Sequence, residues 1–254
     1  MSISGKYVYC IIKASQDFRF GPIGLQGEEV LTIGIDDMAM VVSHYESDEV
    51  GQIRSSRKNL LTHQKVLEKI MEEHTVLPVK FGTMAAHEGE IHNLLLRHYK
   101  GFEHNLQKFD NKVELGLKVF WKDMKGIYDE VLQENEPIQK LKIQLSNQEN
   151  TNGLIEIGQM VEAAVAEKKE NEGQFFLDEL TPIAIEHTTA NLLGDQMCLN
   201  ASFLVSKGRE KEFDNTVEEL AEKMEERYTF KYVGPLAPYN FVELGIYPEE
   251  WETD

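Results

Sequence analysis

The chain has 254 residues, of which 41% are hydrophobic and 28% are charged, and this balance predicts a packed globular fold. Its 26 basic and 44 acidic residues give a formal charge of −18, which argues against sequence-independent binding to nucleic acid or to an anionic membrane surface. No apolar run resembles a secretory signal or approaches the ~20 residues of a membrane span, so we expect a soluble protein inside the cell.

The first half of the chain alternates between strand and helix patterns. Residues 6–12 are apolar on both alternating faces, which predicts a strand that is covered on each side. Two later apolar runs flank an Asp-Asp pair at 36–37 and predict a hairpin. Helical spacing predicts helices over 57–74 and 88–109, and Pro78 between them predicts a short edge strand. The apolar stripe of the first helix comprises Leu60, His63, Leu67, Ile70 and His74.

The second half follows a more regular pattern. The predicted elements are a strand over 113–121, a partly helical connection over 122–153, a helical region over 154–185, two strands joined by residues 194–195, a helix over 210–227 and a strand over 229–236. The long helical region is expected to break near Gly173. This order of strands and helices is typical of a ferredoxin-like βαββαβ domain. We therefore predict an α+β protein of two domains, an N-terminal α/β sandwich-like domain over 1–110 and a ferredoxin-like domain with a C-terminal tail over 111–254.

Motifs for metal or cofactor chemistry fail on spacing. His87 and His92 are five residues apart, which rotates the second ring by roughly 140° from the first on a helix. The glycines of 21–27 do not match the dinucleotide-binding pattern, and they precede a strand. Cys10 and Cys198 lie far apart in apolar runs, as buried thiols do. We therefore expect no metal, no cofactor and no enzymatic activity.

Lys80 is the remaining candidate for catalysis. It follows an apolar run that contains Pro78 and precedes an aromatic residue, a glycine and a threonine. A catalytic lysine needs a desolvated pocket or a cationic neighbour to lower its pKa, and no partner motif in the sequence supplies either. We interpret Lys80 as the end of a strand, after which Phe81, Gly82 and Thr83 shape the turn into the next helix.

The segment from Arg57 to Met84, RKNLLTHQKVLEKIMEEHTVLPVKFGTM, resembles the hallmark of the GvpF/GvpL family of gas vesicle accessory proteins. Members of this family carry an arginine, an N-L-x-x-H-like helix, V-L-E and then T-V-L-P-V-[RK]-F-G-T. The opening YVYCII and the closing GPLAPYNFVEL also resemble family segments, in the same order and over nearly the whole chain. Within the family, the resemblance leans toward the F branch. Lys80 stands where arginine is common, and Ala237 replaces a more usual proline.

The resemblance implies an accessory or minor structural protein of gas vesicles, the hollow protein shells that give aquatic microbes buoyancy. Its implied partners are the small hydrophobic shell protein GvpA and other gas vesicle accessory proteins. It further implies that the protein is located at the gas vesicle, and in the cytoplasm before assembly. The implied fold has two domains, and the family has no known cofactor or reaction.

The motif residues form the predicted partner-binding set. They are Arg57, Asn59, His63, Lys80, Phe81, Thr83, Tyr239 and Phe241. Arg57, Asn59 and His63 share one region of the first helix, from which they could hydrogen-bond the turn after Lys80. Tyr239 and Phe241 belong either to an arm packed on the domain, which we favour, or to an exposed aromatic anchor. Two alternatives stay open: a small-molecule-binding or enzymatic protein that uses Arg57, His63 and Lys80 in an interdomain cleft, and a generic soluble adaptor.

Overall fold

The computed structural model describes residues 3–47, 53, 55–145 and 151–243. The part of the predicted connection over 146–150 and the tail after 243 lie outside the described residues. The chain divides into two compact units, one of residues up to Glu114 together with the C-terminal segment that starts at Pro235, and one of residues 115–234. The C-terminal segment therefore groups with the first unit, whereas the sequence-based division placed it in the second domain.

In its described residues, the first unit contains a six-stranded sheet with antiparallel strand pairs and two α-helices. Its elements are β1 (Ile3–Lys13), β2 (Arg19–Gly21), β3 (Val30–Ile35), β4 (Met38–Ser47), α1 (Arg57–Met71), β5 (Val76–Pro78), β6 (Met84–Ala85) and α2 (Glu88–Phe109). The strand order is β2-β3-β4-β1-β5, and β6 also pairs with β1. Residues 7–12 of β1 are all buried, which confirms the prediction of a strand covered on both faces.

The predicted hairpin and the second helix are confirmed. Strands β3 and β4 pair antiparallel, and Asp36 in the turn between them has a φ of 53°, a left-handed conformation that Asp tolerates better than most residues. Helix α2 has the predicted bounds, Glu88–Phe109. Strand β5 lies at the end of the strand order, so Pro78 occupies an edge strand, where its missing amide hydrogen costs no ladder bond.

Helix α1 is shorter than the sequence pattern indicated. It ends at Met71, so His74 lies beyond it, and a hydrogen bond from the Asn59 amide to Ser56 Oγ caps its first turn. Of the predicted stripe, His63, Leu67 and Ile70 are buried, but Leu60 is exposed. The stripe prediction was therefore wrong at Leu60, because Val66 and not Leu60 completes the buried face of the helix.

The second unit is built on a four-stranded sheet in the order β10-β7-β9-β8. The elements of this part of the chain are β7 (Lys112–Trp121), α3 (Met124–Glu134), α4 (Glu136–Leu145), α5 (Thr151–Leu180), β8 (Glu186–Thr189), β9 (Met197–Ser206), α6 (Glu210–Lys223) and β10 (Tyr228–Leu236). The alternating residues of β7 from Val113 to Trp121 are buried, as predicted. Helix and strand thus combine in both units, which confirms the mixed α+β class. Among the described residues, no helix has both the length and the apolar composition needed to cross a bilayer.

Helix α5 corrects the prediction of a break at Gly173. The helix runs for 30 residues through this position. A Cβ atom at Gly173 would lie 2.6 Å from the backbone oxygen of Cys198 in β9, closer than real Cβ contacts. The glycine therefore permits close approach of the helix to the sheet, and it does not interrupt the helix. The connection before α5 is also more helical than predicted, since it contains α3 and α4.

Two glycines of α5 provide a matched test of this packing. We expect Gly173→Ala to lower the free energy of unfolding by about 1–3 kcal/mol, because the added methyl group collides with the backbone of β9. Gly158→Ala should raise it by about 0.5–1 kcal/mol, since the added methyl group has no neighbour within 4 Å beyond the adjacent residues and backbone of its own helix, and alanine favours the helix. Urea unfolding followed by circular dichroism measures both changes. Equal stabilisation by the two substitutions would contradict close packing at Gly173.

Candidate functional site

The imidazole of His63 lies between two tyrosine hydroxyls of the first unit. Its Nδ1 atom is 2.8 Å from Tyr7 Oη, and its Nε2 atom is 2.7 Å from Tyr239 Oη. Tyr7 belongs to β1, His63 to α1, and Tyr239 to the C-terminal segment. The histidine therefore links three segments that are distant in sequence, and its ring is buried.

The hydrogen-bond pattern around His63 suits a neutral ring. The Gly82 amide donates to Tyr7 Oη at 3.3 Å, so the Tyr7 hydroxyl hydrogen is available to an acceptor. When Tyr7 donates to Nδ1, the Nε2–H group donates to Tyr239 Oη, and both ring nitrogens have a partner. A protonated imidazole would have two donors and would leave the Tyr7 hydroxyl hydrogen without its acceptor in a buried position.

Burial also determines the charge state of these three groups. It lowers the pKa of His63 from 6.5 to about 4. It raises the pKa of Tyr7 and the pKa of Tyr239 above the usual 10 of a phenol, because a phenolate would lose its hydration. The chain of hydroxyl, imidazole and hydroxyl is therefore uncharged at neutral pH, as expected for a group that holds segments together.

Aromatic rings enclose the imidazole. The Tyr9 ring stacks on it with centroids 5.5 Å apart, and the Phe81 ring meets it edge-on at 5.7 Å. Tyr7 and Tyr9 also meet in a T-shaped pair at 4.7 Å. The Tyr9 hydroxyl accepts a hydrogen bond from the Leu25 amide at 2.8 Å. The rings of Tyr7, Tyr9 and Phe81 thus pack around the imidazole of His63 and restrict its movement.

The turn after β5 is held by backbone contacts. The Lys80 carbonyl accepts bonds from the Thr83 hydroxyl at 2.7 Å and from the Thr83 amide at 3.2 Å. Gly82 has a φ of 94°, a conformation that favours glycine. The Thr83 carbonyl in turn accepts from the Val8 amide at 3.0 Å. The Lys80 side chain is exposed, so this residue contributes its backbone to the turn, as the sequence interpretation expected.

The C-terminal segment is anchored at two further points. Phe241 is buried, which agrees with the packed arm, although the Tyr239 side chain keeps 40% of its surface exposed. The buried Glu114 carboxylate accepts hydrogen bonds from the Asn240 amide at 2.9 Å and from the Asn240 side chain at 2.5 Å. The segment thus combines one apolar anchor with hydrogen bonds to His63 and Glu114.

Sequence reasoning did not identify Tyr7, Tyr9 or Glu114 as parts of this cluster. The signal was present in part, because Tyr7 and Tyr9 lie on one face of a buried strand and buried tyrosine hydroxyls need partners. Glu114 is the charged residue between the buried apolar residues Val113 and Leu115. What the sequence did not show is which atoms pair with them.

The described residues do not gather the polar groups of the alternative small-molecule site. Both ring nitrogens of His63 are occupied by tyrosine hydroxyls, whereas the side chains of Arg57 and Lys80 are exposed. Asn59 is partly buried in the first turn of α1. Within the described part of the chain, no group of three or more His, Cys, Asp or Glu side chains is placed to hold a metal ion. The arrangement favours a structural role for the cluster over ligand chemistry.

Comparison with known proteins gives consistent matches along the chain. The family model described as "Gas vesicle synthesis protein GvpL/GvpF" matches residues 5–243. "Gas vesicle protein F" of Dolichospermum flosaquae is 31% identical over 228 residues, which cover 87% of this chain and 90% of that protein. "Gas vesicle protein F" of Nostoc sp. strain PCC 7120 is 29% identical over 245 residues, which cover 95% of this chain and 99% of that protein.

A solved structure agrees with these sequence matches. The crystal structure of the gas vesicle protein GvpF from Anabaena sp. PCC7120 resembles this fold with a TM-score of 0.84 and 28% sequence identity. The match covers 96% of this chain and 100% of that chain. The similarity therefore extends over both compact units and over the segment that closes on His63.

Proposed function

The chain belongs to the GvpL/GvpF family of gas vesicle proteins, and from this premise we propose that it is a non-enzymatic accessory protein of gas vesicle assembly. In this proposal it binds the small hydrophobic shell protein GvpA, acts at the gas vesicle, and has other accessory proteins as further partners. The observation that carries the proposal is the family match from residue 5 to residue 243, which spans both compact units. The relatives with which it was compared carry the F name, in agreement with the leaning from the sequence motifs.

Physical chemistry gives this role a concrete task. A shell subunit with an apolar gas-facing side exposes a large hydrophobic patch in water before it is assembled, and such patches aggregate. A partner with a formal charge of −18 keeps a complex soluble through mutual repulsion between complexes. The protein would hold subunits in a soluble form until they join a growing shell.

The chemistry of the potential nucleophiles supports a non-enzymatic role. Burial raises the pKa of Cys198 to about 12, and burial also raises the pKa of Cys10. Both thiols are therefore protonated at neutral pH and are poor nucleophiles. The one buried histidine of the motif, His63, has both ring nitrogens in hydrogen bonds to tyrosines.

We further propose that the second unit is a ferredoxin-like domain. The strand order β10-β7-β9-β8 supports this. Strand β7, the first of the four along the chain, lies in the sheet between β10, the last, and β9, the third, as the βαββαβ arrangement requires. Helix α5 lies between β7 and β8 in the chain, and helix α6 lies between β9 and β10. Helices α3 and α4 precede α5 and lengthen the connection after β7.

Co-purification with the shell protein tests the proposed function. We expect tagged full-length chain, co-expressed with GvpA, to retain GvpA on an affinity resin, whereas an unrelated acidic protein of similar charge retains none. A strain that lacks the chain should form few or misshapen vesicles in electron micrographs. The proposal fails if the chain retains no GvpA and the deletion strain forms normal vesicles.

A further inference from the structure

Helix α1 presents two exposed leucines at consecutive positions. Leu61 lies on the side opposite the buried face, and Leu60 lies at the border of that face, three residues before the buried His63. Leu60 and Leu61 retain 45% and 46% of their surface, while Val66, Leu67 and Ile70 of the same helix are buried. Two large apolar side chains that are exposed at consecutive positions of one helix contribute apolar surface that favours contact with another molecule.

The charge around these leucines is opposite to that of the chain as a whole. The segment Arg57–Met71 contains four basic residues and one acidic residue, in a chain where acidic residues outnumber basic ones by 44 to 26. Arg57 and Lys58 precede Leu61 by four and three residues, and Lys65 follows it by four, so all three are its neighbours on the helix surface. Their side chains are exposed, and none of the three forms an ion pair with a described residue.

The inner side of the same helix is firmly held. His63 bonds Tyr7 and Tyr239, and the residues after it pack against the sheet. The exposed side therefore has a defined shape before any partner binds, which reduces the entropy lost on binding. We call the exposed residues Arg57, Lys58, Leu60, Leu61 and Lys65 the α1 face.

We propose that the α1 face is the surface that docks the shell protein, through a segment that combines apolar side chains with carboxylates. This inference rests on the proposed function. The leucines supply apolar contact, and the basic border attracts and orients an acidic segment. The remainder of this acidic chain repels such a segment, which confines it to the α1 face. A second copy of the chain is a less suitable occupant, because two molecules of charge −18 repel each other.

Two pairs of variants separate the apolar and the electrostatic parts of the contact. Leu60→Gln with Leu61→Gln removes the apolar surface, and its control is Leu96→Gln on α2, a leucine that is 55% exposed on the same unit. Lys58→Glu with Lys65→Glu reverses the basic border, and its control is Lys100→Glu, an exposed lysine of α2. Circular dichroism spectra and melting curves establish that each variant is folded.

The measurement is the amount of GvpA that the full-length chain retains on the affinity resin. We expect the double leucine variant to retain about tenfold less GvpA than the wild type, as for loss of a central apolar contact. The double lysine variant should also retain less, and wild-type retention should fall as salt rises to about 0.5 M. Both control variants should match the wild type.

The other outcomes would contradict either the proposed function or the docking surface. If the wild type retains no GvpA, the proposed function fails, and this inference fails with it. If the wild type retains GvpA and the double leucine variant retains as much, the α1 face is not the docking surface, although the proposed function stands. If sedimentation shows a wild-type dimer that the double leucine substitution dissociates, the occupant is a second copy, and the inference is wrong.

Discussion

Acidification from pH 6.5 to pH 4 is expected to remove about 3 kcal/mol of stability through His63 alone. Burial lowers the pKa of this histidine to about 4 in the folded protein, whereas in the unfolded chain it has its usual value of 6.5. Between these values the unfolded chain binds the extra proton, so the free energy of unfolding decreases as the pH falls. The contribution is complete above pH 6.5 and is lost by about pH 4, below which both states are protonated.

The variant His63→Gln isolates this effect from the titration of carboxylates. A glutamine side chain has a donor and an acceptor for the two tyrosines, but it does not titrate, so the variant should lack this component of the pH dependence. His104→Gln, which removes an exposed imidazole from α2, is the matched control and should keep it. Urea unfolding at a series of pH values gives the difference curves. A midpoint near pH 6.5 for the His63 resonance in an NMR titration of the folded protein would contradict the buried neutral ring.

Replacement of Arg227 by methionine is expected to lower the stability of the second unit by about 2 kcal/mol. The guanidinium group pairs with both oxygens of Glu130 at 2.7 and 2.9 Å and with Glu172 at 2.6 Å. Glu172 also accepts hydrogen bonds from Tyr228 and from the Trp121 indole. Loss of the guanidinium leaves two partly buried carboxylates short of a cation, while methionine keeps the apolar stem.

The expected loss is smaller than that for a fully buried ion pair. The Arg227 and Glu130 side chains keep 32% and 37% of their surface, and Lys168 remains 3.1 Å from Glu130. Because Arg227, and to a lesser extent Lys168, hold the pKa of Glu130 at about 2, the contribution of this carboxylate is complete above its usual pKa of 4.5 and disappears as the pH falls to about 2. The network therefore contributes fully at neutral pH.

Tryptophan fluorescence during urea unfolding measures the effect of Arg227→Met. A Trp251→Phe background leaves Trp121 as the remaining tryptophan, so the signal reports the second unit. Lys223→Met is the control, because its pair with Glu219 is exposed and such pairs contribute at most about 0.5 kcal/mol. Equal unfolding midpoints for the two variants would show that the Arg227 network contributes no more to stability than the exposed pair of Lys223 and Glu219.

Several parts of the fold were predictable from local patterns. The two-residue period of β7 and the doubly apolar run of β1 identified buried strands, and the helical period identified α2 with its correct bounds. Gly173 shows where local reasoning fails. A glycine inside a helical pattern indicates a break when it is considered alone, but here it serves the close approach of Cys198 in β9.

The candidate site was predictable only as a set of residues. The family resemblance selected His63, Lys80 and Tyr239. The residues after Lys80 do form a turn, but the turn leads into strand β6 and not directly into helix α2 as predicted. Leu60 was assigned to the buried stripe, although the structure exposes it. The helical period alone cannot distinguish the edge of a buried stripe from the start of an exposed face, because that depends on what packs against the helix.

By itself, the sequence determined the family, the mixed α+β class and most elements, since these depend on neighbours in the chain and on the periods of helix and strand. Only the tertiary structure decided the partners of the buried polar groups. His63 bonds Tyr239 across 176 residues, and Glu114 bonds Asn240 across 126. Such pairs form because a buried polar atom must find a partner wherever the packed chain supplies one, and no local spacing records which segment that will be.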